Sequence, residues 1–274
     1  MQSDAVAERR ALRSRAKIAW DDLREGFAQS WLWSHLALRD IKLRYKGSVL
    51  GPFWVTLSYA AMIAGIGIIY AELFRRDVSA YLPYLMCGLV IWFFVAGLIN
   101  DACQTFLSAK GIIDQIPMPL SVHAYRTVCR SLIILAHNLV IIPFGFLIFP
   151  HHLDWWVLTV IPAILLLLIN GMWACLLLGL LCARFRDIGP IVGAVVQVVF
   201  FVTPIMWHID ALRGGGALLA LNPFFAAIDV IRAPLLGEPV APYSWLILIV
   251  IAIVGWMLAF AMFARFRGRI AYWI

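Results

Sequence analysis

The stretch Trp31–Trp54, WLWSHLALRDIKLRYKGSVLGPFW, separates two chemically different parts of the chain. The sequence before it is polar and charged, whereas long apolar runs begin after Gly51-Pro52. Because proline suits the first turn of a helix, this dipeptide is predicted to open the first membrane span. Within the stretch the basic side chains recur every three or four residues, as on one face of a helix: His35, Arg39, Lys42 and Lys46.

The spacing of these basic residues predicts an amphipathic helix over residues 31–47 that lies in the lipid headgroup layer. Ile41–Lys46 also alternates apolar and basic residues, which is compatible with a short strand. Directly against a spanning helix, however, an open strand edge would leave its backbone unsatisfied, so we favour the helix. The stripe could also serve only to orient the chain in the membrane. Residues 1–30 are predicted to be a cytoplasmic tail, mobile up to about residue 18, with one apolar helix face: Trp20, Leu23, Phe27 and Trp31.

Composition places the chain among integral membrane proteins of all-α class, since 64% of its residues are hydrophobic and 14% are charged. A spanning helix needs about 20 apolar residues without central charges. Six intervals satisfy this requirement: Gly47–Ala71, Val78–Asn100, Ser131–Leu153, Trp155–Ala183, Ile188–Ile209 and Pro239–Ala264. We therefore predict a six-helix transmembrane domain over residues 48–274.

The basic residues orient these spans. Six spans place both termini on one side, and that side holds all but four of the 22 lysines and arginines. The exceptions are Arg75, Arg76, Arg213 and Arg232. Cytoplasmic loops carry the excess of lysine and arginine, so both termini are predicted to be cytoplasmic. The net charge of +7 then reflects membrane topology, and no nucleic-acid partner is needed to explain it.

Two loops carry further signals. The cytoplasmic segment Ser108–Pro119 has an apolar centre, which indicates a short helix that docks either into another protein or onto the membrane surface. Asp187, in the turn between spans 4 and 5, is predicted to cap span 5. On the external side, the apolar run Gly214–Ile228 is too short to span and predicts re-entrant helices between spans 5 and 6, with Asp229 and Arg232 three residues apart on the second.

Polar and aromatic side chains inside the spans leave two interpretations open. His137, Asn138, Asn170 and Gln197 fit either interhelical hydrogen bonds or contacts to a substrate. The aromatic residues of span 2 fit either anchors at the membrane interface or a stacking surface for sugar rings. A metal site at His151, His152 and Asp154 lacks a further ligand, so no metal is expected.

The motifs of an enzyme or a motor are missing from the sequence. It contains no G-x-x-x-x-G-K-[ST] phosphate loop, no H-E-x-x-H and no G-x-S-x-G. Proton-coupled pumps usually bury charged residues near the bilayer midplane, and these spans have none. We therefore expect neither catalysis nor a bound cofactor in this chain, which would serve as a membrane path or scaffold.

Several short motifs, in order and spacing, resemble the permease subunits of ABC-2 type exporters for O-antigen and related polysaccharides. They cover nearly the whole chain from Trp31: Arg44–Lys46, Ser48–Trp54, Gly88–Trp92, Ala183–Ile188, Thr203–Trp207, Asn222-Pro223 and Arg269–Trp273. The resemblance implies a homodimer in the inner membrane that binds two copies of a separate ATPase, which would hold ATP and Mg²⁺. A lipid-linked glycan would be the cargo. A permease for teichoic acid, a lipid or a drug would share this architecture, and a channel or membrane enzyme without an ATPase is a further alternative.

By the same resemblance, residues 31–46 would form the interface helix against the ATPase, residues 109–116 the coupling helix, and residues 184–189 would lie nearby. The implied interface residues are His35, Arg39, Lys42, Lys46, Lys110, Gly111, Ile112, Ile113, Asp114, Arg184 and Asp187. The implied residues of the translocation path are Tyr59, Tyr84, Trp92, Trp207, Asn222 and Phe224.

Overall fold

The structure is a computed structural model that describes residues 2–51, 53–150, 153–207 and 221–274, with side chains from residue 14 onward. Within these ranges it contains helices and connecting turns but no strand, which confirms the all-α class and excludes the strand alternative at Ile41–Lys46. The α-helices are α1 (Gln2–Ala28), α2 (Ser30–Arg44), α3 (Phe53–Leu73), α4 (Val78–Cys103), α5 (Lys110–Ile113), α6 (Ser121–Asn138), α7 (Ile141–Ile148), α8 (Val160–Arg184), α9 (Ile188–Val202), α10 (Pro223–Leu235), α11 (Pro242–Phe266) and α12 (Ile270–Trp273). Short 3₁₀ turns occupy Leu107–Ala109, Trp155–Thr159 and Arg267–Arg269.

Five helical segments in the described ranges are long and apolar enough to cross a membrane. They are Phe53–Leu73, Val78–Cys103, Ser121–Ile148, Trp155–Arg184 and Pro242–Trp273. The fifth predicted span corresponds to α9, which has 15 residues and reaches only about 22 Å as a helix. The multi-span membrane class is therefore confirmed, whereas the count of six spans stays a prediction.

The chain continues past the end of α9 along α4. A Cβ added to Gly193 would lie 3.6 Å from Oδ1 of Asn100, near the C-terminal end of α4. Further along, the hydroxyl of Tyr81, near the other end of α4, donates to the carbonyl of Met206 at 2.5 Å. Asn100 and Tyr81 are about 28 Å apart along a helix. Helix α9 and the irregular segment Thr203–Met206 together therefore follow most of the length of a spanning helix.

Helix α4 lies at the centre of the bundle and contacts α3, α6, α7, α8, α9 and α10. Asp77 caps its N-terminus, since the carboxylate accepts a hydrogen bond from the amide of Ser79 at 3.4 Å and another from the Ser79 hydroxyl. The Ser79 hydroxyl is the main cause that lowers the pKa of this exposed carboxyl. Small residues allow close helix packing elsewhere: a Cβ on Gly171 would meet Leu98 at 2.5 Å.

The third predicted span corresponds to α6 and α7, which together are longer than the apolar run in the sequence and are separated by a break. Helix α6 begins at Ser121, ten residues before the predicted start at Ser131, because Arg126 and Arg130 are neutralised by acidic partners. The helix is interrupted at Leu139-Val140 before α7 begins. Pro143 lacks an N–H that could bond back to the carbonyl of Leu139, which accounts for the interruption.

The N-terminal segment is helical from Gln2 to Ala28, and its mobility up to about residue 18 stays a prediction. Of the residues on the predicted apolar face, Leu23 is buried whereas Trp20, Phe27 and Trp31 are 62 to 65% exposed. Contact of this face with the membrane surface or with a partner stays a prediction. Gln29 separates α1 from α2 with ψ of 44°, outside the helical range. Because of this break, Trp31 on α2 does not continue the helix face that Trp20, Leu23 and Phe27 form on α1.

One of the two predicted re-entrant helices is described. Residues 208–220, which include the first part of the run Gly214–Ile228, lie outside the described residues. Helix α10 begins beside Trp92, whose ring centroid lies 5.9 Å from that of Phe224, and ends at Leu235. Leu236 then lines the same cavity as Ser79, which lies at the first turn of α4. Helix α10 therefore runs from the middle of α4 to its N-terminal end, as expected of the return limb of a re-entrant segment.

Candidate functional site

One end of the bundle gathers ionic contacts between elements that are distant in sequence. We call it the charged end, and it comprises α1, α2, the Leu107–Asp114 loop, the first turns of α6 and the C-terminal ends of α8 and α11. Most of the lysines and arginines counted in the sequence lie on these elements. The charged end is thus the face that positive charge predicts to be cytoplasmic.

Asp40 joins α2 to α6 at the charged end. Its carboxylate accepts two hydrogen bonds from Arg126, from Nε at 2.7 Å and from Nη2 at 2.5 Å, and a third from Nη1 of Arg130 at 3.1 Å. Nη2 of Arg130 also lies 3.1 Å from the carboxylate of Asp101 in α4. The side chains of Asp40 and both arginines are only 12–15% exposed. This network therefore connects α2, α6 and α4 where solvent screens charges weakly.

Asp22 joins α1 to the start of α6 and to the segment after α11. Its buried carboxylate accepts hydrogen bonds from the amides of Leu120 at 3.0 Å and Ser121 at 2.9 Å. Nε of Arg267 donates to the same carboxylate at 2.5 Å. Amides at a helix N-terminus otherwise lack partners, so Asp22 supplies from a distant helix the acceptor that an N-cap residue usually provides.

The basic stripe of α2 points away from the bundle. His35, Arg39, Lys42 and Lys46 are all exposed. Ala37 and Ile41, on the opposite side of α2, are buried against the bundle together with the inward-facing Asp40. His35, Arg39 and Lys42 therefore share one exposed side of α2, whereas the helix ends at Arg44 and Lys46 lies in the turn that follows. The role of the stripe toward lipid headgroups or a protein partner stays a prediction.

The predicted coupling segment forms a short 3₁₀ turn followed by the single turn of α5. Ala109 and Phe106 are buried and anchor it, whereas Lys110, Gly111 and Asp114 are exposed and Ile112 and Ile113 are half-buried. Nζ of Lys110 donates to the carbonyl of Ile274 at 2.5 Å and lies 3.5 Å from the carboxylate of Asp114. The segment is thus fixed at its base and at the C-terminal residues, and it presents a mixed polar and apolar outer surface.

Arg184 and Asp187 are both exposed at the end of α8 and the start of α9. The guanidinium of Arg184 lies 5.3 Å from the ring centroid of Trp273, so Arg184 and Lys110 both contact the C-terminal residues. The predicted capping bond of Asp187 is wrong, because its side chain makes no hydrogen bond at the start of α9. Its backbone has helical angles, φ −71° and ψ −18°, whereas a capping side chain usually requires extended backbone.

Three of the predicted path residues lie near the middle of α4: Trp92 on α4 itself, Tyr59 on α3 and Phe224 on α10. Trp92 is buried, and its ring lies 5.4 Å from that of Phe200 on α9 and 5.9 Å from that of Phe224 on α10. Tyr59 on α3 stacks on Phe93 with ring centroids 3.9 Å apart. The rings of these residues lie at a similar depth in the bundle, and we call them the aromatic level: Tyr59, Trp92, Phe93, Phe200 and Phe224. Phe224 also lines an apolar cavity of about 410 Å³ beside them.

The other three path residues lie around the irregular segment after α9. The hydroxyl of Tyr84 lies 3.2 Å from the carbonyl of Trp207 and 3.4 Å from that of Pro204. Asn222 accepts a bond from the amide of Phe224 at 2.9 Å and donates to the Thr203 hydroxyl at 3.0 Å. The side chains of Tyr84 and Asn222 and the backbone carbonyl of Trp207 have structural partners in the chain, and the role of the three residues toward a cargo stays a prediction.

Arg232 has a structural role in this region that the sequence did not reveal. It lies on α10 as predicted, and its side chain is buried, with 5% exposed. Nη1 donates to the carbonyl of Pro204 at 3.0 Å, and the guanidinium lies 4.1 Å from the centroid of the Tyr84 ring. Non-helical backbone at membrane depth must be satisfied by protein, and Arg232 meets that requirement together with Tyr81 and Tyr84.

The polar residues within the spans have different environments. Asn138 accepts a hydrogen bond from the hydroxyl of Thr56 on α3 at 3.0 Å, and Asn170 lies 3.3 Å from the carbonyl of Leu248 on α11. These contacts confirm interhelical hydrogen bonds at both positions. Gln197 instead lies exposed on α9 among apolar side chains. His151 and His152, which belong to the metal site considered above, lie outside the described residues. Within the described residues, no group of three histidine, cysteine, aspartate or glutamate residues could hold a metal ion.

The fold and the charged end define a multi-pass helical membrane protein with a basic face assembled from its N-terminal helices, its internal loops and its C-terminal residues. Comparison with known families adds a match of residues 32–236 to the model of the ABC-2 type transporter. Because this match covers more than half of the chain, the protein belongs to the ABC-2 type transporter family.

Individual relatives agree with this assignment. The chain is 22% identical over 217 residues to the O-antigen export system permease protein RfbA of Myxococcus xanthus, covering 77% of this chain and 82% of the relative. It is 25% identical over 177 residues to a protein of the same description from Klebsiella pneumoniae, covering 64% of this chain and 68% of the relative.

Proposed function

We propose that this chain is the membrane-spanning permease subunit of an ATP-driven exporter that moves a lipid-linked, O-antigen-like polysaccharide out of the cytoplasm. The observation that carries the proposal is the family match from residue 32 to residue 236, which includes α2, the coupling segment and α10. The names of the relatives from Myxococcus xanthus and Klebsiella pneumoniae supply the class of cargo.

In this proposal the charged end faces the cytoplasm at the inner membrane and docks two copies of a separate ATPase, one for each copy of this chain. The exposed stripe of α2 and the outer surface of residues 110–114 support this role, since both combine accessible charges with a rigid attachment to the bundle. ATP and Mg²⁺ would bind to the partner, whose closure would push on α2 and α5. Spans that move as rigid bodies would then open and close the path.

We further propose that a second copy of this chain covers α3 and α9. These helices pack on neighbouring positions of α4, through Tyr59 on Phe93 and Phe200 on Trp92. Their outer faces are largely exposed: Val196 is the buried residue of α9. Gln197 is exposed there, and an amide facing lipid would cost free energy. A path between two copies would give this amide polar contacts and place the aromatic level beside the passing sugars.

The test is an export assay in cells that express Asp114→Lys from the native locus. Reversing this exposed charge breaks the 3.5 Å ion pair with Lys110 and alters the surface offered to the ATPase without touching the core. We expect the protein to insert and fold normally, while the surface polysaccharide decreases and its lipid-linked form accumulates in the cytoplasm.

Glu72→Lys is the matched control, because it reverses an exposed acidic charge near the C-terminal end of α3, at the end of the bundle away from the charged end. It should export at the wild-type level. Normal export by Asp114→Lys would refute the coupling role of this segment. Unchanged surface polysaccharide in cells that lack the chain altogether would refute the proposed cargo, and the accumulation of another lipid-linked polymer or lipid would identify the true one.

A further inference from the structure

A cavity of about 250 Å³ opens between the ends of α8 and α11 at the charged end. Its floor is apolar, formed by Leu180, Met262 and Phe266, and Trp273 of α12 forms one wall. Arg184 and Arg269 also line it, and both are exposed. The cavity thus combines a hydrophobic interior with two cationic groups at its rim.

The two rim arginines differ from the other arginines of this region. Arg267, between them and the bundle, is paired with the buried carboxylate of Asp22. Among the ion pairs of the described residues, none includes Arg184 or Arg269. The aromatic rings do not neutralise these charges, although Arg184 lies 5.3 Å from the Trp273 ring and Arg269 lies 5.9 Å from that of Phe266. The rim therefore carries two positive charges without an acidic partner, and an anionic group would pair with them.

The position of the cavity along the bundle indicates the ligand class. Arg184 is the last residue of α8 and Phe266 the last of α11, so the cavity lies where two long apolar helices leave the hydrocarbon layer. Phe185 and Tyr272 beside it are 56% and 87% exposed, as is typical of aromatic anchors in the headgroup region. Basic pockets between spanning helices at this depth suit phosphate headgroups.

We propose that this cavity binds the headgroup of an anionic phospholipid, with the phosphate between Arg184 and Arg269 and the glycerol and first methylenes against Phe266 and Trp273. The volume fits a headgroup and not a whole lipid, so the acyl chains would lie along the exposed faces of α8 and α11. This site is independent of the cargo, and it lies at the charged end proposed above to dock the ATPase, where Arg184 is also an implied interface residue. The bound lipid would hold α8 and α11 together at the end where α12 closes over them.

The test uses the full chain in detergent, titrated with phosphatidylglycerol or with phosphatidylcholine of the same acyl chains, and counts bound lipids by native mass spectrometry. We expect the wild type to retain one more phosphatidylglycerol than the double variant R184Q/R269Q. We also expect the affinity for that lipid to fall about 30-fold in the variant, which corresponds to about 1 kcal/mol for each arginine. Arg186→Gln, an exposed arginine of the same turn that does not line the cavity, should bind as the wild type does.

Two further measurements distinguish lipid binding from a loss of folding and from the binding of a simple anion. The charge-conserving variant R184K/R269K should bind phosphatidylglycerol more tightly than R184Q/R269Q at an equal melting temperature, which excludes misfolding as the cause of the loss. Equal retention of phosphatidylcholine, or unchanged binding by R184Q/R269Q, would overturn the proposal. Binding of inorganic phosphate alone as tightly as the lipid would overturn it as well, because the apolar part of the cavity would then contribute nothing.

Discussion

Replacing Asp40 with asparagine tests whether the ionic network at the charged end holds α2 to the bundle. The carboxylate accepts three hydrogen bonds at 2.5 to 3.1 Å from Arg126 and Arg130, and it is 15% exposed. Removing one partner of a buried ion pair costs about 3 to 5 kcal/mol. Because these groups keep slight exposure, we expect the lower value, about 3 kcal/mol. For a chain of this size, that loss lowers the melting temperature by about 6 to 12 °C.

The assay is thermal unfolding of the detergent-solubilised protein, with Asp187→Asn as the matched control. Asp187 is exposed and its side chain makes no capping hydrogen bond, so its substitution should shift the melting temperature by less than about 1 °C. A double-mutant cycle with Arg126→Gln should give a coupling free energy of about 1 to 3 kcal/mol. A melting temperature for Asp40→Asn equal to that of Asp187→Asn, or a coupling near zero, would refute the structural role of the network.

Two other substitutions test the packing of the spans and the support of the irregular segment. Gly255→Val should destabilise the protein by about 1 to 3 kcal/mol, since a Cβ at this position meets the indole of Trp173 at 2.3 Å; an unfolding curve that matches the wild type would contradict this packing. Arg232→Met should remove the closer donor of the buried Pro204 carbonyl and leave only the Tyr84 hydroxyl at 3.4 Å, at a cost of about 1 to 3 kcal/mol, and limited proteolysis should then cleave the segment after α9 sooner than in the wild type. Equal cleavage rates would show that the tyrosines satisfy this segment without Arg232.

The membrane class and most spans were predictable because the free-energy cost of moving a charged side chain out of water can be assigned from residue type alone. A charged residue at the centre of a span costs several kcal/mol, so charge-free runs mark the helices that cross the membrane. The interval Val78–Asn100 corresponds closely to α4, and Pro239–Ala264 to α11. The exposed stripe of α2 followed from the same reasoning, since a helix beside a membrane exposes its charges on one side.

The fifth span shows where hydrophobic length is insufficient. Its apolar run extends to Ile209, yet α9 ends at Val202, just before Thr203-Pro204. Proline disfavours helical backbone in the preceding residue, and Thr203 is extended with ψ of 134°. The sequence contains this signal, but not the information that Tyr81 and Arg232 satisfy the carbonyls exposed by the end of the helix. Those contacts join residues up to 125 positions apart.

The acidic residues at the charged end could not be assigned from sequence for a related reason. Asp22 and Asp40 lie in segments dominated by lysine and arginine, where a carboxylate looks like one solvated charge among many. Their partners are 86 to 245 residues away, so no local periodicity reveals them. The i, i+4 spacing of Arg126 and Arg130 was the available signal, because two arginines on one face at the edge of a span require a shared anion.

Arg130 connects α2 at the charged end to the central helix α4 through two ion pairs. Its guanidinium donates to Asp40 of α2 and pairs with Asp101 of α4, each at 3.1 Å. Any force that displaces α2 must therefore either carry α4 with it or break these bonds in an environment where unpaired charges are costly. Helix α4 carries Trp92, Phe93 and Tyr84, which contact α3, α9 and the irregular segment. We therefore expect a displacement applied at the exposed stripe to reach the aromatic level through helices that move as rigid bodies, without unfolding between the two sites.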